Sequence, residues 1–323
     1  MFAQSMERGR NDKFVRDVRA GLGGSGQKEL SSSYLYDEIG AALFEAITLL
    51  PEYGLTRADA RLLELHSTEL ASRLRGPAMV AELGSGSGRK TRWVLEAMAE
   101  NGPLDYYPID ISRSGLVKCR GELGRIEGVT VVEMERSYLE GLSSVVARRE
   151  CGQALLVLFL GSTIGNFDPA GAQEFMGQIR ERLEEGDALL LGTDLIKPVE
   201  QLLAAYNDPT GVTAAFNLNI LARINRELGG EFELGNFEHQ AIYNAGMRRI
   251  EMHLRSRRRQ QARIREAELT VSLEAGETIW TESSHKFRAE DVRAMAADAG
   301  FECAAQWIDE EWPFAETLLI AAA

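Results

Sequence analysis

A chain of 323 residues with 45% apolar and 26% charged side chains can build one large domain or two smaller ones around a substantial core. Its formal net charge of −13 argues against a nucleic-acid backbone or an anionic membrane as the main partner. Cys119, Cys151 and Cys303 are far apart and odd in number, and the four histidines are scattered, so neither a disulfide framework nor a metal site is expected. Residues 1–30 are polar and glycine-rich, unlike a signal peptide, and no long apolar span follows. A cytoplasmic monomer is the expectation. The basic run Arg255 to Arg259 lies in a charge-alternating stretch and reads as a solvated strand or turn.

In chain order, residues 1–30 read as loosely ordered at first, with a short strand or helix around Phe14 to Leu22. Leu35 to Ile47 spaces its apolar residues at three and four, as a helix does. Pro51 to Arg57 breaks it, and a second helix runs from about Ala58 to Arg73. From there strands are predicted at 78–83, 105–109, 129–133, 154–160 and 187–193. Helices are predicted near 89–100, 113–124, 138–147 and 170–184. Such alternation implies a parallel sheet wound by helices on both faces.

After Asp194 the alternation stops. Two helices are predicted near 198–206 and 210–229, then segments near 236–244, 248–258 and 265–273 that look like one antiparallel sheet. A helix from Ala289 to Ala299, a strand from Cys303 to Ile308 and a strand from Phe314 to Ala322 close the chain. The expected fold is therefore α/β: a Rossmann-like, doubly wound sheet with a C-terminal antiparallel hairpin, plus a smaller α+β domain. Residues 61–196 and 287–323 would form the first, and 1–60 with 197–286 the second.

The richest stretch is Glu82-Leu83-Gly84-Ser85-Gly86-Ser87-Gly88-Arg89-Lys90, where an apolar strand meets a helical pattern. Glycines there let backbone pass close to a ligand, and the helix behind offers unpaired N–H groups. A second apolar strand ends in Asp110, 26 residues after Gly84, where an acid can accept from both hydroxyls of a ribose. The spacing is G-x-G-x-G with an acid two residues ahead, not the dinucleotide G-x-G-x-x-G. Glu82 would also repel a nearby pyrophosphate. The spacing and its preceding acid resemble the first motif of S-adenosylmethionine-dependent methyltransferases, whose sheet also closes on such a hairpin, and this resemblance favours S-adenosylmethionine over NAD.

Several further stretches are specific. Tyr36-Asp37-Glu38-Ile39-Gly40, Leu50-Pro51-Glu52-Tyr53, Phe159-Leu160-Gly161-Ser162-Thr163-Ile164-Gly165-Asn166, Ala214-Ala215-Phe216-Asn217 and Glu282-Ser283-Ser284-His285-Lys286-Phe287 resemble the histidine-specific Nα-methyltransferases of ergothioneine biosynthesis. The resemblance runs from about residue 30 to the C-terminus. It implies three transfers from S-adenosylmethionine to L-histidine, giving the betaine hercynine. Gly84, Gly86, Lys90, Asp110, Ser137, Tyr138 and Gly161 would hold the cofactor. Tyr36, Asn166 and Tyr206 would hold the amino-acid carboxylate and amine, with Tyr36 and Asn166 nearest the chemistry. Tyr53, Glu282, Ser283 and Ser284 would surround the imidazole, with Phe216 and Met252 as apolar walls. Two departures stand out: Tyr53-Gly54-Leu55 replaces the family's Tyr-Tyr-Pro, and Ser137-Tyr138 replaces an Asp-Phe pair near the adenine.

Each of these residues also has a plainer reading. Asn166 follows an apolar strand in a glycine-flanked loop, where its amide could bind a ligand or simply occupy a left-handed turn. Glu282 stands where a strand gives way to polar residues, as an imidazole acceptor or as part of a cap cluster for the next helix. Tyr36, Tyr53, Tyr206, Phe216 and Met252 would be core residues by default. Another amino acid or small amine is the alternative substrate; a binding protein without catalysis and an NAD oxidoreductase are the other classes.

Overall fold

Phe14, Val18 and Leu22 repeat every four residues and are all buried, which is why the first helix of the computed structural model is far longer than its polar sequence predicts. The structure describes residues 2–74 and 79–323, with side chains from Asp12 onward. Ala78, expected to open a strand, lies outside the described residues. Two compact units divide the chain, Met1–Tyr53 with Pro198–Ser284 and Gly54–Lys197 with His285–Ala323.

In chain order the first elements are α1 (Phe2–Leu22), β1 (Lys28–Glu29), α2 (Glu38–Ile47), α3 (Leu55–Arg73) and β2 (Met79–Leu83). A 3₁₀ turn, Arg89–Thr91, then precedes α4 (Arg92–Ala99), so the helix expected from residue 89 starts later. Next come β3 (Leu104–Asp110), α5 (Arg113–Leu123), β4 (Val129–Val131), β5 (Met134–Glu135), α6 (Tyr138–Val146) and β6 (Leu155–Phe159). A 3₁₀ turn, Thr163–Asn166, leads to α7 (Pro169–Arg180) and β7 (Ala188–Asp194). Then follow α8 (Val199–Tyr206), α9 (Val212–Leu228), β8 (Phe237–Asn244), β9 (Arg249–Ser256), β10 (Gln260–Ile264) and β11 (Leu269–Leu273). The last elements are β12 (Thr278–His285), α10 (Ala289–Asp298), β13 (Phe301–Ile308) and β14 (Phe314–Ala321).

Helix starts follow their caps. Asp37 accepts from Gly40 N at 2.7 Å ahead of α2, and Ser112 from Gly115 N at 3.2 Å ahead of α5. Asp168 accepts from Gly171 N at 2.7 Å, with Pro169 in the first helical position of α7.

In the larger unit the strand order is β13-β14-β7-β6-β2-β3-β4, with β5 beside β3. The strands from β7 to β4 are parallel, and β14 runs antiparallel to both β7 and β13. β2, β6 and β7 are buried along their whole length, as parallel strands covered on both faces must be. Alternate residues feed two cores. Ala81, Leu83, Val157, Phe159 and Leu191 pack with α6, α7 and α10, whereas Val80, Leu156, Leu158 and Leu190 pack with α3, α4 and α5. The doubly wound sheet with its antiparallel ending is the architecture expected from sequence.

The smaller unit carries the sheet β1-β12-β9-β8, with β1 parallel to β12 and β8 antiparallel to β9. Two expectations are corrected here. Leu269–Leu273 is not the third strand of that sheet; it pairs with β10 as a separate hairpin whose turn contains Glu268 at φ 49°. The strand carrying Glu282 does not stop there but continues through Ser283 and Ser284 to His285, because alternate residues remain buried.

Candidate active site

At the carboxyl end of β2 the chain turns through Gly84, Gly86 and Gly88 at φ 81°, 51° and 72°, all in the left-handed region. Gly84 N donates to Ile109 O at 2.8 Å, tying the turn to β3. A side chain at Gly88 would meet Cys119 Sγ and Leu123 Cδ1 at 2.7 Å, whereas Gly86 faces open space. Asp110 stands alongside. Its Oδ2 accepts from Gly86 N at 3.1 Å and its Oδ1 from Ser112 N at 2.8 Å. Each oxygen keeps a lone pair for a further donor, so a ribose diol fits the residues present. Burial pushes the Asp110 pKa up, against the N–H bonds from Ser112 and Gly86.

Glu82 does not face this turn. Buried under it, the carboxylate accepts from Thr91 Oγ1 at 2.8 and 2.9 Å and from the Tyr106 hydroxyl. Burial raises its pKa to about 7, although both hydroxyl partners act to lower it. Lys90 likewise turns inward, pairing with Asp59. Burial disfavours its ammonium, but the Asp59 carboxylate more than compensates, and its pKa lies above the usual value. Gly161, just past β6 at φ 70°, donates its N–H to the same carboxylate at 3.0 Å.

Tyr138 opens α6 with its hydroxyl 3.1 Å from where a Gly84 side chain would begin, and its ring stands edge-on to Phe159 at 5.7 Å. Ser137 beside it is exposed and donates to Glu140 at 2.7 Å. Asn166 ends the 3₁₀ turn after β6, half-buried, with no hydrogen bond to its amide among the described residues. The left-handed residues of that loop are Gly161 and Ser162, at φ 70° and 58°, so the plainer reading of Asn166 does not hold.

In the smaller unit an aromatic belt runs Tyr36, Phe216, Phe44, Tyr53, Tyr206. Tyr36 meets Phe44 and Phe216 edge-on at 5.4 Å, and Tyr53 meets Phe44 and Tyr206 at 6.3 Å. Tyr206 donates to Ser284 Oγ at 2.7 Å. Glu282 and Ser284 are both buried on one face of β12, and Ser283 between them faces the other side. The cap-cluster reading of Glu282 fails as well, since the residue preceding α10 is Arg288. Met252 is buried on β9, its carbonyl accepting from Thr281 Oγ1 at 2.9 Å.

Behind the belt lies a relay that sequence reading missed. Thr281 Oγ1 donates to Asn217 Oδ1 at 2.6 Å, Asn217 Nδ2 donates to His239 Nδ1 at 2.9 Å, and His239 Nε2 reaches Tyr206 O at 2.7 Å. A carbonyl facing Nε2 calls for a proton there, and the Asn217 amide N–H facing Nδ1 calls for a lone pair, which together describe a neutral ring; burial lowers the His239 pKa in the same sense. Only a buried-face Asn217 in the α9 pattern hinted at it. Asp59 was missed too, although an acid flanked by Ala58 and Ala60 on an apolar helix face was a signal.

Residues 14–321 match the family described as histidine-specific methyltransferase, SAM-dependent. This chain belongs to that family. It is 42% identical over 309 residues to a histidine N-alpha-methyltransferase of Mycolicibacterium smegmatis, covering 94% of each chain. It is 33% identical over 272 residues to ergothioneine biosynthesis protein 1 of Neurospora crassa, covering 79% of this chain and 31% of that one. An L-tryptophan methyltransferase of Psilocybe serbica is 27% identical over 310 residues, covering 88% of this chain and 86% of its own. Among the described residues of this histidine-specific methyltransferase family member, no helix is long and apolar enough to cross a membrane.

Proposed function

We propose that the protein transfers three methyl groups from S-adenosylmethionine to the α-nitrogen of L-histidine, forming hercynine for ergothioneine biosynthesis. The observation that carries this reading is the family match across residues 14–321, with a relative named histidine N-alpha-methyltransferase at 42% identity. The polar face of β12 supports histidine over tryptophan. A carboxylate such as Glu282 can accept an imidazole N–H, and the Ser284 hydroxyl can serve the other ring nitrogen, whereas an indole leaves one of these polar groups without a partner.

In this reading the larger unit carries the cofactor and the smaller receives the amino acid. Gly84 and Gly86 admit the cofactor backbone closely, Asp110 holds the ribose, Ser137 and Tyr138 border the adenine, and Lys90 and Gly161 hold the amino-acid end. Tyr53, Glu282 and Ser284 hold the imidazole between the walls Phe216 and Met252, with Ser283 contributing backbone only. Tyr36, Asn166 and Tyr206 hold the carboxylate and amine.

Bound S-adenosylmethionine supplies an activated methyl on a sulfonium. The protein's task is then to aim the amine lone pair along the transfer line, replacing a chance encounter by a held geometry. An α-amine with a reference pKa near ~8 has a neutral fraction at physiological pH, so no strong base is required. Tyr36 and Asn166 orient the amine through neutral groups. Such weak contacts tolerate a nitrogen that loses its protons one by one, where a carboxylate clamp would not.

The test is direct. Purified protein is incubated with S-adenosylmethionine and each of the twenty amino acids, with and without EDTA, and products are read by mass spectrometry. Mono-, di- and trimethylated histidine is expected in both conditions; methylation of another amino acid in place of histidine overturns the assignment.

A further inference from the structure

Beneath the glycine turn the larger unit buries a second group of side chains that methyl transfer as described does not use. Asp59 lies on the apolar face of α3 and Glu316 on β14 opposite Gly192 of β7, at 0% and 1% exposure. Asp59 Oδ2 accepts from both Lys90 Nζ and Gly161 N–H. Its Oδ1 meets no N–H or hydroxyl donor among the described residues, and neither does either oxygen of Glu316.

The two carboxyl groups flank the same stretch of backbone: a side chain at Gly192 would begin 2.8 Å from Glu316 Oε1 and 3.2 Å from Gly161 N, the amide that donates to Asp59 at 3.0 Å. Two ionised carboxylates so placed out of water repel strongly; one shared proton removes the repulsion and partners Asp59 Oδ1 with one of the two Glu316 oxygens. Glu316 is the better holder of that proton. Burial first, then the charges of Asp59 and Glu82, drives its pKa well above the usual range, while Lys90 opposes this. The backbone is cut to admit the pair at Gly192 and also at Gly161, where a side chain would begin 3.1 Å from Lys90 Nζ.

We propose that Asp59 and Glu316 are positioning residues, a carboxyl pair holding one proton that fixes Lys90 and the Gly161 backbone for the cofactor. The proposal rests on the cofactor roles assigned above to Lys90 and Gly161. A neutral acid donating to Asp59 has a close amide mimic, and an ionised acid does not. Substitution therefore separates the two states.

The experiment is calorimetric titration of S-adenosylhomocysteine into wild type, Glu316→Gln, Glu316→Ala and Asp59→Asn between pH 6.5 and 9, with a thermal melt of each. Glu316→Gln is expected to bind within about threefold of wild type with the same pH profile. Glu316→Ala and Asp59→Asn are expected to lose at least about tenfold, as when a buried charged or polar partner is removed. Their KM for histidine at saturating cofactor should change less than about twofold, because they touch no substrate. Should Glu316→Ala fail to fold, the Gln variant still decides. Its affinity falling tenfold, or Asp59→Asn binding as wild type does, overturns the pair. Absence of binding by wild type overturns the cofactor assignment itself, a result distinct from wild-type binding that the variants leave unchanged.

Discussion

Tyr206 and Ser284 meet hydroxyl to hydroxyl at 2.7 Å, joining the last residue of α8 to a strand that sequence propensity would end two residues earlier. The tyrosine carbonyl is held in turn by the neutral His239 ring. Removing the phenol should therefore disturb histidine binding and little else. Tyr206→Phe is expected to raise KM for histidine about fivefold to tenfold, a loss of ~1 kcal/mol typical of one hydrogen bond, with cofactor affinity unchanged. Steady-state kinetics with each substrate varied in turn check it.

Asp110 offers the converse case. Its two oxygens already order the turn through Gly86 and Ser112, and a ribose would add charge-assisted bonds. Asp110→Ala should weaken S-adenosylmethionine binding by ~1.5–3 kcal/mol, roughly tenfold to a hundredfold in Kd. An affinity equal to wild type in a folded variant removes Asp110 from the cofactor site.

Specificity should lie with Glu282. Glu282→Ala is expected to lower kcat/KM for histidine about tenfold to a hundredfold while cofactor affinity holds, since an imidazole N–H loses a buried acceptor. Tryptophan should become a relatively better substrate, the more so with Met252→Val added. Competition assays with both amino acids read the ratio, and unchanged histidine kinetics would place Glu282 outside the pocket.

A pH effect follows from Glu82. Its folded pKa near 7 lies above the ordinary 4.5, so the folded state holds a proton that the unfolded chain releases earlier. The stability this contributes is fully present below pH 4.5 and is lost as pH rises toward 7, by at most about 3 kcal/mol. Glu82→Gln cannot titrate and should flatten the fall in Tm between pH 5 and 7 relative to wild type. Parallel Tm curves for the two proteins would mean that Glu82 titrates alike folded and unfolded.

The parts of the fold that were legible in sequence are those where one local force dominates. The strands β2, β6 and β7 are unbroken apolar runs because both faces are covered, and the glycines at 84, 86 and 88 mark a turn that other residues enter only with strain. Legibility failed where tertiary pairing overrode composition. Ser283 and Ser284 look like a strand's end, yet neighbours on the sheet keep the strand going to His285. In the β10–β11 hairpin the segment 265–273 does read as a strand, but β10 shows only Ala262 and Ile264 buried among Gln and Arg, too short an alternation to reveal the partner that takes β11 out of the neighbouring sheet. In the candidate site, turn and strand-end residues such as Asp110 and Gly161 could be picked out one by one. The inward turn of Lys90 toward Asp59 could not, because it depends on two segments meeting in space.

The register of β1 against β12, Lys28 beside Ile279 and Glu29 beside Trp280, also sets an order of assembly. On a ribosome the early strand must wait, unpaired, until β12, about 250 residues later, has emerged. The larger sheet waits as well, since β14 slots between β7 and β13 rather than onto an edge. Neither unit can finish before its late strand, β12 in one and β14 in the other, has been made, so contacts distant in sequence close late and slowly. A nascent chain stalled ahead of Phe314 would expose the flank of β7 as an open sheet edge, a natural target for chaperones or for pairing with another chain.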